Sequence, residues 1–393
     1  MARKDLTPVQ SQADVNEPTG WVNKAATTLS YVSATRTMTL GIPGAATDYY
    51  SGGKRFTLAG SQNISLNHAN STGLHYYYFD GSSASLQVST TVWDIGSTTV
   101  PVAAVYFNAT TGLGVCLDER HGAQMDGQTH KYLHQTVGTR VVSGFAISGY
   151  TLSPGAPTDA ANDFDVAAGV VADEDLQTSI GALAAGASAY RVWYRSGAAG
   201  DWTWDTTTLP FTVGTTYPQY NSSGTWAKTE MITGRWINMW VLAVPSIDTA
   251  QDTIVVMGQV SHTSLANAQA EAWSSLALGT LPFTEMAPLY RVTYRTLSTY
   301  TSTGKCRIES VTNIQNTTTP TTLPSQDHGS LTGLTNAGAH PATAISVDTT
   351  NFAGILTTAE TDVQLALDKI DDHTHAAAAG ATDWNTAFML GGM

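Results

Sequence analysis

The chain has 393 residues, of which 42% are hydrophobic and only 12% are charged, and its formal net charge is −13. This length accommodates two or three domains with cores of their own, and the low charge excludes an intrinsically disordered protein. The 18 Lys and Arg residues are too few for a nucleic-acid-binding surface, which needs clustered cations. Neither a membrane-spanning apolar run nor a signal peptide is recognisable. We expect a folded protein that is made and assembled in a cytoplasm, without membrane insertion.

The first half of the chain has the pattern of a β domain. Residues 1–20 have the composition of an irregular arm. Beyond them, short runs of β-branched and aromatic residues are separated by Gly, Asn, Asp and Ser at intervals of roughly ten residues. This spacing of strands and turns is typical of a β sandwich or barrel. The clearest hairpin joins residues 100–108 to 112–120 through turn-forming residues. We predict a β domain over residues 21–145 that ends in a short helix.

A histidine-rich segment at residues 121–138 is the strongest candidate for site chemistry. If residues 127–137 are helical, His130 and His134 lie one turn apart on one face of the helix. Both imidazoles could then coordinate one transition-metal ion, with His121 or Asp126 as a third ligand. A zinc protease is excluded, because Lys131 stands where that motif needs a general base. The alternatives are a structural metal site or two ordinary histidines in a helix that links domains.

The middle of the chain, residues 146–315, is predicted to be a Trp-rich β domain with a few helices. Two similar strings, YRVWYR at 190–195 and YRVTYR at 290–295, have the alternation of strands. Residues 235–246 and 252–262 are predicted to be neighbouring strands of one core. The two cysteines of the chain are interpreted as small buried hydrophobes and not as a disulfide framework: Cys116 and Cys306.

Two helices are predicted in this middle domain. One spans residues 264–279 with Ser264 as its N-cap. The other begins at residue 175, where Asp173, Glu174 and Asp175 would favour the positive end of the helix dipole. The same acids are the nearest candidates for the carboxylate pair of a glycosidase. Since no motif with a catalytic mechanism is present, we expect no enzyme activity.

Aromatic residues offer a possible glycan-binding surface. The alternative is that aromatic side chains at alternate strand positions fill a core or a subunit interface, and it is favoured because they lie inside strand patterns. No glycan-binding residue is therefore assigned. The aromatic residues concerned are Trp193, Trp202, Trp204, Trp226, Trp236 and Trp240, with Tyr76, Tyr77 and Tyr78.

The C-terminal residues have the composition of an assembly segment. A Thr/Pro linker at 316–325 leads into residues 326–393, which are too polar and small-residued to fold alone. Thr357 and Glu360 form a capping box for a short helix. Its narrow apolar stripe has the width of a coiled-coil seam and predicts trimerisation; the alternative is a helix packed on its own globular domain. The stripe consists of Ala359, Val363, Ala366, Leu367 and Ile370.

Several segments also resemble proteins of bacteriophage particles. HGSLTGL and TNFAGILTTAETDVQLALDKIDDHTH resemble segments near the ends of phage tail fibre and tail-associated proteins. SLNHANSTGLHYYYFDG, VPVAAVYFNATTGLGVCLDERHGAQMD with THKYLH, and MAPLYRVTYR resemble phage virion proteins that are mostly known only as structural. The resemblance implies a mainly β, multidomain virion protein.

This resemblance implies a homotrimeric tail fibre or fibre adaptor on the tail or baseplate. Its partners would be further copies of itself, other tail, baseplate or fibre proteins and, in adhesion, a host surface glycan. A head fibre or capsid decoration protein is the first alternative, and a carbohydrate-binding or glycan-degrading protein is the second.

The residues HTH after the predicted helix suggest a second metal site. In an extended strand His373 and His375 point the same way, so three chains could present six imidazoles to one octahedral ion on the trimer axis, most plausibly iron. The resemblance raises this hypothesis, because phage fibres and spikes use such an arrangement. The alternative is a solvated strand end, since only one such pair is present.

Overall fold

The computed structural model describes residues 18–95, 98–124, 127–186, 190–315, 356, 359, 361 and 363–370. The chain divides into two compact units, Met1–Thr321 and Thr322–Met393. The described part of the first unit is mainly β, as the sequence predicts, and is built of several sheets. In the second unit, residues 363–370 form a helix.

The strands and helices of the first unit follow one another in this order. The first ten strands are β1 (Gly20–Trp21), β2 (Thr28–Val32), β3 (Thr37–Ile42), β4 (Thr47–Ser51), β5 (Lys54–Leu58), β6 (Gln62–Asn67), β7 (Gly73–Phe79), β8 (Gln87–Ser89), β9 (Val100–Asn108) and β10 (Leu113–Asp118). Helix α1 (Gly127–Thr136) follows. Next come β11 (Arg140–Gly144), β12 (Ile147–Ser148), β13 (Asp165–Val166), β14 (Gly169–Asp173), β15 (Leu176–Ile180), β16 (Tyr190–Ser196), β17 (Asp201–Thr207), β18 (Gln219–Ser222), β19 (Ala227–Glu230), β20 (Trp236–Ala243) and β21 (Thr253–Met257). Helix α2 (Leu265–Ala270), β22 (Ala287–Thr296) and β23 (Cys306–Asn313) complete the order.

Three sheets surround the first hydrophobic core. Their strand orders are β1-β4-β5, β2-β3-β6 and β10-β9-β7-β8. The predicted hairpin is present as β9 and β10, which pair antiparallel from Asn108 opposite Leu113 to Ala103 opposite Asp118. The core between the sheets is made of large side chains from all three: Trp21, Met38, Leu40, Ile42, Tyr49, Leu58, Tyr77, Phe79, Val105 and Phe107 are among its members.

Strand β9 is buried on both faces, which explains its continuous apolar sequence. Val105 and Phe107 face the first core, whereas Ala104 and Tyr106 face a second core on the other side of the same sheet. Every residue of β9 is buried. A strand that is covered on both faces has no solvent-facing positions, so it loses the usual alternation of apolar and polar residues.

The second core lies between this sheet and a six-stranded sheet of order β17-β16-β21-β20-β22-β23. Strand β20 shows the period of two, because Trp240 and Leu242 face the second core while Met239 and Val241 face a third. Strands β20 and β21 pair antiparallel, as predicted for residues 235–246 and 252–262. The two similar strings, at 190–195 and 290–295, lie in β16 and β22 respectively.

The third core joins the six-stranded sheet to the sheet β11-β14-β15. Phe145 and Phe164 are fully buried there. Residues before and after position 145 therefore contribute to the same hydrophobic cores. The division of this unit into domains at 21–145 and 146–315 stays a prediction. Cys116 and Cys306 are both free and buried, in agreement with their interpretation as small apolar side chains.

Two predicted helices differ from the structure. The helix predicted for 264–279 begins as expected, with Ser264 Oγ accepting from Asn267 N at 3.1 Å, but α2 ends at Ala270. It stops because Glu271 turns to the extended conformation and Trp273 enters the second core. A one-turn 3₁₀ helix at Trp273–Ser275 follows.

The helix predicted to begin at residue 175 is wrong. Asp173 ends β14 and pairs with Leu176 of β15, and Glu174 and Asp175 form the turn of this antiparallel hairpin. The β-branched residues on both strands, including Val171 and Ile180, alternate toward the third core, and this burial outweighs the charge pattern that favours a helix start. None of the described helices is long and apolar enough to cross a lipid bilayer.

Candidate functional site

Four separate segments bring charged side chains together in the interior of the first unit. They are the residues after β10, helix α1, the turn between β14 and β15, and a one-turn 3₁₀ helix at Phe283–Glu285. We call the resulting group the buried His/carboxylate cluster. It consists of Glu119, His121, His130, His134, Asp173, Glu174, Asp175 and Glu285.

His121 lies at the centre of one half of this cluster. Its Nδ1 donates to Asp175 Oδ1 at 2.8 Å. Its Nε2 lies 3.7 Å from a carboxylate oxygen of Glu119 and 3.7 Å from one of Asp173. The ring therefore has one nitrogen held by a hydrogen bond and the other directed at two carboxylates.

The close approach of Asp175 to His121 depends on Gly122. The backbone N–H of Gly122 donates to Asp175 Oδ2 at 2.6 Å. A Cβ atom at position 122 would lie 2.7 Å from that same oxygen, which real Cβ contacts do not reach. A glycine after His121 is thus needed for the carboxylate that orients the imidazole.

His134 repeats this arrangement in the other half of the cluster. Its Nε2 lies 3.1 Å from Glu285 Oε1, and its Nδ1 lies 3.5 Å from Glu174 Oε1. The other oxygen of Glu174 lies 3.5 Å from His130 Nε2. Glu174 reaches both histidines from the hairpin turn, where its φ of 45° is in the left-handed region that a glutamate rarely occupies.

Most side chains of the cluster are buried, Asp175 and His134 being partly exposed, and the cluster is poor in hydrogen bonds. His121 is 3% exposed, and the side chain of Glu174 is 0% exposed. Buried polar groups normally have hydrogen-bond partners, so a concentration of unpaired atoms calls for a physical reason. The buried cluster atoms without such a partner are His121 Nε2, His130 Nε2, His134 Nδ1, Asp173 Oδ1, Glu174 Oε1 and Oε2, and Glu285 Oε2.

The surroundings shift the pKa values of the three cluster histidines in different directions. Burial by itself would lower the pKa of His121, but hydrogen bonding to Asp175 and the nearby acids outweigh it and raise that pKa well above the usual value. In His134 burial is likewise outweighed, chiefly by Glu285, and the pKa is raised to about 10. Burial prevails in His130 and lowers its pKa.

The carboxylates also divide into two groups. Burial raises the pKa of Glu119, of Asp173 and of Glu285. In Glu174 the opposing effect of the histidines, His130 first, outweighs burial and lowers the pKa to about 2. Five carboxylates face three imidazoles, so acids outnumber bases even when every histidine is protonated, and protons or another cation must balance the excess.

Imidazole nitrogens and carboxylate oxygens converge in a way that suits a metal ion. Three groups in the cluster have ligand atoms that all lie within 4.8 Å of one another: His121, His130 and Glu174; Glu119, His121 and Asp173; His134, Asp173 and Glu174. Most of the described side chains of the cluster are buried, which is typical of structural rather than catalytic metal sites. Its donor set is therefore better suited to holding segments together than to turnover.

The sequence identified part of this cluster. Helix α1 is present over Gly127–Thr136, as predicted for 127–137, and it brings His130 and His134 beside His121. Sequence reasoning missed Glu119 and Glu285. It named Asp173, Glu174 and Asp175 as a helix start and as candidates for a glycosidase carboxylate pair, but not as partners of the histidines. The signals in the sequence were an acid two residues before His121 and a lone acid in the apolar segment 281–289. Asp126, His373 and His375 lie outside the described residues.

The tryptophans are placed mostly inside the protein. Trp193, Trp202 and Trp240 belong to the second core and are at most 1% exposed. Trp226 is partly buried against the guanidinium of Arg195, at 3.8 Å from the ring centroid. The indole faces of the three core tryptophans are therefore occupied by protein and offer no platform for a sugar ring.

One buried carboxyl outside the cluster gives a pH prediction. Burial raises the pKa of Asp252 to about 6, so its proton stays bound in the folded state at pH values where the unfolded chain has lost it. Its contribution to stability is present at low pH and is lost as the pH rises through about 6. Asp252→Asn should therefore stabilise the protein by about 1 kcal/mol at pH 8, since solvent screens part of the effect.

The measurement is the Tm of the variant and of the wild type between pH 5 and pH 8. The advantage of Asp252→Asn should shrink toward pH 5. A difference in Tm that is the same at both ends of this range would contradict the role of burial at this carboxyl.

Comparison with protein family models, with curated proteins and with solved structures finds no match for this chain.

Proposed function

We propose that this chain is a structural protein of a bacteriophage particle that assembles as a homotrimer. In this proposal it forms a tail fibre or fibre adaptor on the tail or baseplate, and serves host adhesion directly or by carrying a further fibre. Its layout would be a sandwich-like N-terminal β domain, a central β-rich domain and a C-terminal trimerisation segment.

The observation that carries the proposal is the exposure of large apolar side chains on the helix formed by residues 363–370. Leu367 is 53% exposed and Ile370 is 45% exposed, although both are large apolar residues. Ala366, next to Leu367, is buried. A helix of this length is marginal in water by itself, and association of three copies would cover its apolar side chains and stabilise it. This supports the proposal that two further copies of the chain pack against these apolar side chains.

Two features of the first unit support a structural role. Its interior is three layered cores, with the largest aromatic side chains buried. Its most unusual group of charged residues, as far as the structure describes it, is mostly buried, which suits a structural role. Neither feature favours the carbohydrate-binding or glycan-degrading alternative, and the head-fibre alternative shares both.

The oligomeric state tests the proposal. The full chain should have three times the mass of one chain by light scattering or native mass spectrometry. Leu367→Glu places a carboxylate in the proposed seam, where its burial is unfavourable, and should weaken assembly by at least about tenfold. The matched control is Lys369→Glu, which introduces the same side chain at an exposed polar position of the same helix and should leave the trimer intact.

Two results would refute the trimer: a monomeric wild type, or equal assembly of Leu367→Glu and wild type. Electron microscopy of particles labelled with an antibody to this chain then separates the locations. Label on the tail supports the fibre or adaptor, and label on the head favours the head-fibre or decoration alternative.

A further inference from the structure

We propose that the buried His/carboxylate cluster is a structural metal site that takes at least one divalent transition-metal ion. The first ligand group is Glu119, His121 Nε2 and Asp173, and a second group, His134 Nδ1 with Asp173 and Glu174, shares one of its carboxylates. The inference is independent of the virion role and of the trimer.

Several contacts inside the cluster are too long for hydrogen bonds and close to the separation of two ligands of one ion. The contacts of His121 Nε2 at 3.7 Å and of His134 Nδ1 at 3.5 Å exceed the usual range of an N–H···O hydrogen bond. Two atoms that each lie about 2.0–2.1 Å from one tetrahedral ion are separated by roughly 3.3–3.4 Å. Small side-chain movements would therefore convert these contacts into coordination.

The second nitrogen of each ring is already held by a carboxylate. Asp175 accepts from His121 Nδ1, and Glu285 lies 3.1 Å from His134 Nε2. Metal-binding histidines nearly always have such an outer carboxylate or carbonyl, which sets the tautomer and the ring orientation. Both rings thus direct the remaining nitrogen, which has no hydrogen-bond partner, at further carboxylates.

Charge and ligand chemistry select the kind of ion. A divalent cation offsets the excess of acids in a closed interior, where ionised carboxylates without a partner are costly. Imidazole ligands exclude a preference for Mg²⁺ or Ca²⁺, which favour oxygen, and the mixed nitrogen and oxygen set suits Zn²⁺, Mn²⁺ or Fe²⁺. Because the ligands come from the residues after β10, from α1 and from the β14–β15 hairpin, the ion would connect segments that are far apart in the chain.

The test begins with the full chain, purified without a polyhistidine tag and stripped with EDTA. Zn²⁺ and Mn²⁺ are then titrated by calorimetry, and the Tm is measured with and without each ion. At least one of these ions should bind with a stoichiometry of about one or two per chain and raise the Tm, since a ligand that binds only the folded state stabilises it.

Variants locate the ion. Asp175→Asn changes a partly exposed orienting residue and should fold, with metal affinity reduced about 10–100-fold. His121→Gln should abolish binding at its ligand group. The matched control is His262→Gln, which alters a partly buried histidine outside the cluster, paired with Glu271 at 3.1 Å, and should leave the affinity unchanged.

A separate double variant, His373→Ala with His375→Ala, distinguishes this cluster from the C-terminal HTH sequence. It should retain the binding in full. The proposal is overturned if neither ion binds or shifts the Tm, if Asp175→Asn and His121→Gln bind like the wild type, or if the C-terminal double variant abolishes binding.

Discussion

Replacing Trp240 by alanine is expected to destabilise the first unit by about 3–5 kcal/mol, the usual cost of truncating a fully buried large aromatic side chain. Trp240 is 0% exposed in the middle of β20, and its ring centroid lies 5.6 Å from that of Trp273. The neighbouring strands β21 and β22 hold its backbone on both sides. The sheet therefore cannot collapse into the space that the indole leaves, and a cavity remains.

The matched control for this variant lies on the same strand. Trp236 begins β20, is only partly buried, and stacks with the guanidinium of Arg295 at 5.0 Å. Trp236→Ala removes the same side chain and should cost about 1 kcal/mol, the scale of an exposed cation–π contact. Denaturant midpoints, followed by circular dichroism at one protein concentration, give both values. Equal losses in the two variants would contradict the position of Trp240 in the core.

Replacing Arg120 by methionine should have an effect of similar size for a different reason. The guanidinium donates to both oxygens of Asp118 at 2.8 Å and to Thr27 Oγ1. Arg120 is 7% exposed, so the pair is shielded from solvent. Methionine keeps most of the side-chain volume but removes the cation that makes two hydrogen bonds to the carboxylate, and Lys24 Nζ at 3.5 Å from Asp118 Oδ2 remains as a weaker partner. A loss of about 3 kcal/mol is expected, at the low end of the cost of breaking a buried ion pair.

A surface pair of the same residue types provides the control. Arg55 lies 2.7 Å from Asp48 and its side chain is 62% exposed, so solvent screens the pair and Arg55→Met should have little effect on stability. Combining Arg120→Met with Asp118→Asn should restore part of the stability, because the poorly compensated carboxylate charge is then absent. The account of Arg120 fails if the double variant is no more stable than the single one.

The sequence predicted those parts of the fold that depend on residues close together in the chain. The β-branched and aromatic residues at 100–108 and the turn that follows located β9 and β10. The apolar runs at 235–246 and 252–262 located β20 and β21. Ser264 correctly marked the start of α2, because an N-cap acts through the backbone of its own first turn. Those features depend on residues a few positions apart.

Errors arose where distant packing overrides local preference. The acids at 173–175 have the composition of a helix start, yet their flanking strands are held by the third core. Trp273 ends α2 because it is buried against residues such as Trp240, which no local pattern indicates. The layered order of the sheets is likewise invisible in the sequence, since each sheet combines strands far apart in the chain.

In the candidate site, too, local sequence patterns and distant packing each determined a different part. The sequence by itself determined a mainly β protein, the helix that carries His130 and His134, and the plausibility of His121 as their neighbour. Only the tertiary structure decided that Glu119, Asp173, Glu174 and Glu285 meet these histidines in a closed interior. The reason is physical: a helix repeat sets the spacing of two ligands within one turn, whereas the packing of whole sheets sets the distances between ligands on separate segments.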